Sequence, residues 1–168
     1  MKYIGALFVI AGCGGCGFMM AMYHLKQIRL YKSFLLLLDY MSCELQYRAT
    51  PLPQLCRQAS SQTAGILSEI FKNLADELDA QISPNAYRCM SSVVAKIHFA
   101  DDAFVQLLLA FSQNLGVFDV SGQLHGFEYA QKMCNEKLDA LLRNKDSRLR
   151  SYRTLGLCAG AMLAILLV

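Results

Sequence analysis

Between Tyr3 and Tyr23 the chain carries no side chain that is charged at neutral pH, with tyrosine hydroxyls at the two ends of the run. As a helix at ~1.5 Å per residue the run would be roughly 30 Å long, the thickness of a bilayer's hydrocarbon core. Residues 1–23 are therefore expected to form a transmembrane anchor. The centre of the run, Gly12, Cys13, Gly14, Gly15, Cys16 and Gly17, is built from small residues. These are weak helix formers in water, but they let two membrane helices approach backbone to backbone. The face that carries Gly12 and Cys16 is expected to pack on another helix.

A partner for that face stands at the other end. Thr154 to Val168 is again uncharged, and Gly156 and Gly160 are four residues apart, on one helix face. Residues 154–168 are read as a second, short transmembrane segment. At roughly 20 Å it would need local thinning of the bilayer or snorkelling by Arg150 and Arg153. The same glycines also suit self-association into a homo-oligomer. Basic residues orient the whole. Lys26, Arg29 and Lys32 follow the first run, and Arg143, Lys145, Arg148, Arg150 and Arg153 precede the second. Both asymmetries put residues 24–153 in the cytoplasm, against a lipid bilayer, with the two chain ends across it.

A net charge of +3 is too small to mark a nucleic-acid binder, and the basic cluster sits at the membrane flank. Mean hydropathy of +0.31 is raised by the two ends, since the middle alternates apolar and polar residues. Seven cysteines, an odd number with no second C-x-x-C, read as small buried hydrophobes in a reducing compartment. His24, His98 and His125 have no second histidine or cysteine one helical turn away, and no phosphate-binding glycine loop is present. Glu44 and Asp119 are isolated carboxylates, which usually serve a helix surface or a cap. No catalytic, cofactor or metal site is expected.

The middle reads as helices throughout. Leu30, Phe34, Leu37, Met41 and Leu45 recur at helical spacing, so the first helix should pass the membrane and end near Ala49. Thr50 is placed to cap a short helix with Pro51 in its first turn, running to Arg57. Ser60 to Gly65 reads as a loop, followed by a helix from Ile66 to about Asp79. Ser83 and Pro84 suggest the start of a helix whose apolar face includes Tyr87, Met90, Val94 and Ile97. Asp101 and Asp102 suit the N-terminus of a helix over Ala103 to Leu115, with Gly116 as its stop. Asp119 or Ser121 can cap a final helix with Leu124, Phe127, Ala130, Cys134, Leu138 and Leu141 inward. The expected fold is all-α, an antiparallel helical bundle with N-terminal and short C-terminal transmembrane helices.

Three stretches together resemble one family. LLDYMSCELQYRATPLPQL from Leu37 carries Glu44, Tyr47, Thr50, Pro51 and Leu52 at the family's spacing. FSQNLGVFDVSGQ from Phe111 carries Leu115, Gly116, Asp119 and Gln123. YRTLGLCAGAMLAILLV begins with Tyr152 and Arg153 and includes Gly156. This pattern resembles stage III sporulation protein AB of endospore-forming Firmicutes. The resemblance implies a membrane component of the channel between mother cell and forespore, located in the mother-cell membrane around the forespore. It also implies a soluble part similar to the cytoplasmic domains of the type II secretion platform protein, with a cytoplasmic ATPase and other membrane subunits as partners. By the same resemblance these motif positions are implied to be structural or partner contacts. A different class, a membrane-tethered regulatory bundle that sequesters a soluble factor, would share the anchors and the fold.

Overall fold

The computed structural model describes residues 2–48, 50–80, 85–97, 101–116 and 121–143, with side-chain surroundings described at Met19 and from Met22 onward. Helix α1 is Lys2–Arg48, α2 is Leu52–Gln62, α3 is Ile66–Asp79, α4 is Ala86–Lys96 and α5 is Asp102–Gln113. A further helix, α6, covers 121–143. The described residues contain no strand, and the all-α expectation holds.

Two units divide the chain. One is Leu30–Lys137, and the other combines Met1–Arg29 with Leu138–Val168. In the second unit, residues 2–29 belong to α1, with Met19, Met22 and Tyr23 exposed. Tyr23 there stacks edge-on against His24, with ring centres 6.1 Å apart. Among the described residues no helix is long and apolar enough to cross a membrane. The segment 154–168 lies outside them, as do the side-chain surroundings of the apolar run up to 18.

The first unit is knitted by aromatic rings from four helices. Phe34 of α1 is fully buried and meets Phe104 at 5.4 Å and Phe111 at 5.9 Å, both edge-on, with Phe71 of α3 at 6.5 Å. Phe111 in turn meets Phe127 of α6 at 5.1 Å. Edge-on pairs match the positive rim of one ring to the negative face of the next, each adding ~0.5–1.5 kcal/mol beyond area burial. One residue thus ties α1 to α3 and α5. The expected inward sets hold at Phe34, Leu37, Met41 and Leu45, and at Phe127, Ala130, Cys134 and Leu138, whereas Leu30, Leu124 and Leu141 are only half-buried.

Polar clasps join the outer helices. Ser60 Oγ donates to the Ser68 carbonyl at 2.9 Å, and Ser68 Oγ returns the bond to the Ser60 carbonyl at 2.8 Å. The buried Glu77 of α3 accepts from Ser92 Oγ at 2.9 Å and from Lys96 Nζ at 2.7 Å, both on α4. Asp101 caps α5 by accepting from Ala103 N and Phe104 N, while its other oxygen accepts from Tyr31 of α1 at 3.4 Å. From the far side, Cys134 Sγ donates to the Tyr31 carbonyl at 3.4 Å. Asp39 accepts from Gln131 at 2.7 Å, so α6 numbering falls as α1 numbering rises and the two helices run antiparallel.

Several local expectations need correction. Thr50 does not cap α2: Pro51 stands at the cap with no side-chain bond, Leu52 opens the helix and Pro53 takes its second position. A capping hydroxyl normally accepts from the second or third helical N–H, and Pro53 has none to give. The α2 helix also runs on to Gln62 and not only to Arg57, because the Ser60 clasp on Ser68 satisfies groups that composition alone assigns to a loop. The α4 cap is Asn85, whose side chain accepts from Tyr87 N at 2.9 Å, while Ser83 and Pro84 lie outside the described residues. Its buried face is Ala86, Cys89, Met90, Val93 and Val94, with Tyr87 and Ile97 only half-buried.

Candidate docking surface

The first two motif stretches meet at one end of the bundle. After α5 the chain turns through Leu115, which is buried, and Gly116, whose φ is +74°. That left-handed conformation strains any residue with a Cβ. A Cβ there would also stand 3.4 Å from Leu52 Cδ2, at the start of α2. Leu52 and Gly116, 64 positions apart in sequence, are therefore in packing range. Behind them α6 comes close: a Cβ on Gly126 would lie 2.5 Å from that of Asn114, so only glycine lets the helix approach this turn. Gln123 is half-buried on the first turn of α6.

The last turns of α1 precede this end in sequence, since α1 stops at Arg48 and α2 starts at Leu52. Glu44 and Arg48 pair one turn apart at 3.3 Å, with Arg48 exposed. Tyr47 is 81% exposed, Pro51 is exposed, and Thr50 is half-buried. An exposed tyrosine at the end of a helix contributes little to the core. It is the kind of side chain that anchors a partner, offering large area at small entropic cost.

Other predicted positions are not brought here. Asp119, Tyr152, Arg153, Gly156 and Gly160 lie outside the described residues. Gly12 and Cys16 fall within α1, but their side-chain surroundings are not described. Among the described cysteines Cys56, Cys89 and Cys134 are buried, as expected, whereas Cys43 is exposed on α1. Burial pushes the Cys56 and Cys134 thiols up to about 12. No group of three or more His, Cys, Asp or Glu able to hold a metal is found among the described residues.

Sequence reasoning missed Leu36, Tyr40 and Cys43. Leu36 is 70% exposed, and with Ser33, Leu37 and Tyr40 it lines an open groove of about 260 Å³ walled by Gln62 at the end of α2 and by Thr63 and Ala64 of the turn that follows. The signal was present as a second apolar series on α1, beside the one assigned to the core.

A family model described as stage III sporulation protein AB matches residues 2–168. The stage III sporulation protein AB of Bacillus subtilis (strain 168) is 24% identical over 174 residues, covering 100% of this chain and 99% of that protein. A solved structure of a stage III sporulation protein AB superposes with a TM-score of 0.65 at 20% identity, over 73% of this chain and 98% of that one. At that identity the superposition bears on the fold.

Proposed function

The chain belongs to the stage III sporulation protein AB family, and from that premise we propose that it is a non-enzymatic membrane component of the stage III sporulation complex. In this reading it is a platform on which a cytoplasmic ATPase docks and passes conformational work to other membrane subunits. Residues 1–23 and 154–168 anchor it in the mother-cell membrane around the forespore, with the bundle in the cytoplasm. The apolar runs and their basic flanks support the anchors and the orientation.

The observation that carries the docking reading is Tyr47. It is 81% exposed near the end of α1, five residues before the Leu52 that meets Gly116, and such exposure leaves it little part in the core. Rigid support under an exposed aromatic is what a docking contact needs, because little ordering cost remains at binding. The test is co-purification of the full-length chain with the complex's cytoplasmic ATPase from sporulating cells, comparing Tyr47 with Tyr47→Ala. Recovery should fall about tenfold, the loss of a modest hot spot, with the thermal midpoint unchanged. Recovery of a soluble transcription factor in place of the ATPase would favour the regulatory bundle.

A further inference from the structure

Lys26, Arg29 and Lys32 follow one another at intervals of three on α1, and all are exposed. Two residues beyond each, about 200° around the helix, stand Ile28, Tyr31 and Phe34, which are buried. These cations therefore form a band on the side of α1 turned away from its buried face.

No carboxylate neutralises the band. Arg48, Arg57 and Lys96 are each held by an acid, at 3.3, 2.6 and 2.7 Å, whereas Lys26, Arg29 and Lys32 enter no ion pair among the described residues. The next acid on α1, Asp39, accepts from Gln131. At the start of α5, Asp101 is taken up by the cap and by Tyr31, which leaves Asp102 exposed. On α6 the exposed Glu136 and Asp139 stand among Lys132, Lys137 and Arg143, so that helix does not reverse the sign. Uncompensated positive charge on one face selects an anionic ligand.

The position of the band along the helix says which anion. Lys26, Arg29 and Lys32 come three, six and nine residues after Tyr23, where the uncharged run ends, hence roughly 5, 9 and 14 Å along the axis. The polar layer of a bilayer is roughly 5–8 Å deep on each side. Helical side chains lean toward the N-terminus, which brings long basic stems back toward that layer and their charges within about one Debye length, ~8 Å, of lipid phosphates. Met19, Met22 and Tyr23 are exposed on the N-terminal side of the band. An apolar surface that continues into a basic one has the profile of the boundary between hydrocarbon and headgroups, and an acidic protein would leave the apolar part uncovered. We propose that Lys26, Arg29 and Lys32 bind the phosphate groups of anionic phospholipids, so that the chain gathers acidic lipid around its first anchor. This rests on the reading of residues 1–23 as an anchor and adds the class of lipid.

The test equilibrates the full chain, in a non-ionic detergent, with mixed micelles holding equal amounts of phosphatidylglycerol and phosphatidylcholine. The chain is recovered by an affinity tag and the retained lipids are counted by mass spectrometry. About tenfold more phosphatidylglycerol than phosphatidylcholine should be retained at low salt, and high salt should lower the ratio several-fold. Lys26→Gln, Arg29→Gln and Lys32→Gln together should bring the ratio to within about twofold of unity at an unchanged thermal midpoint, while Lys26→Arg with Lys32→Arg should preserve it. Lys72→Gln with Arg88→Gln, which removes exposed cations of α3 and α4, should leave the ratio as it is. Equal retention of the two lipids by the wild type, or the same ratio in the triple variant, overturns the proposal. Loss of ATPase recovery in the triple variant, with no lipid preference in the wild type, assigns the band to an acidic protein and overturns it equally. Flotation with vesicles of phosphatidylcholine alone reads the anchor separately. Failure to float overturns both readings, whereas flotation with equal lipid retention overturns only this one.

Discussion

Phe34, Tyr31 and Cys134 show how single side chains decide this core. Phe34 gathers rings from α3 and α5, and Tyr31 joins the cap of α5 to α6 through its hydroxyl and its carbonyl. The Tyr31 phenol is held above its ordinary range, first by burial and then by the Asp101 carboxylate. Burial likewise raises the Cys134 thiol from 9.0 to about 12. A raised acid keeps its proton in the folded state after the unfolded chain has lost it, so its contribution to stability is complete below pH 9.0 and is lost as pH rises to about 12. The thermal midpoint of the wild type should therefore fall across that alkaline window. In Cys134→Ala the fall should be shallower, at the expense of a lower midpoint at neutral pH from the lost packing. Equal alkaline slopes in the two proteins would show that Cys134 does not take part.

Elements were legible where periodicity and a cap agreed. The α3 helix lies at Ile66–Asp79 as its apolar spacing required, and Gly116 ends the α5 region because its φ of +74° suits glycine. What composition hid was long-range: Ser60 reads as loop until Ser68 is beside it, and Asn85 reads as ordinary until Tyr87 N points at it. The candidate surface was legible in part for the same reason. Tyr47, Leu52 and Gly116 could be named from motif spacing, but that Leu52 meets Gly116 while Leu36 faces solvent depends on how the helices assemble. The turn between α1 and α2 gives a sharp comparison. Pro51, at φ −56°, is in its natural conformation, so Pro51→Ala should destabilise by ~0.4–1 kcal/mol by freeing the unfolded chain. Thr50 makes no cap bond, so Thr50→Ala should shift urea stability by less than about 0.5 kcal/mol, the range of surface changes away from special contacts. A loss of ~1 kcal/mol or more at Thr50 would mean that its hydroxyl caps α2 after all.

At the scale of the molecule, α1 is one unbroken helix from Lys2 to Arg48, and its residues change character along its length. After Lys2 it is uncharged from Tyr3 to Tyr23, then come Lys26, Arg29 and Lys32, and the buried face carries Tyr31, Phe34, Leu38, Met41 and Leu45. If the uncharged part lies in the bilayer, the basic residues fall at its cytoplasmic edge and the bundle follows on that side. The same rule, applied to the cluster from Arg143 to Arg153, returns the chain to the membrane from the same side. These two signals come from separate segments and predict one topology, with both ends across the membrane from the bundle. Membrane-impermeant thiol labelling of intact protoplasts tests it, using a variant without native cysteines and with one cysteine added after Val168 or placed at Ser61, which is exposed on α2. The terminal site should label from outside and Ser61→Cys should label only after lysis. The opposite pattern would place the bundle outside the cytoplasm, where no cytoplasmic ATPase could reach Tyr47. Labelling of both sites from outside would remove the second anchor and leave α1 as the sole attachment to the bilayer.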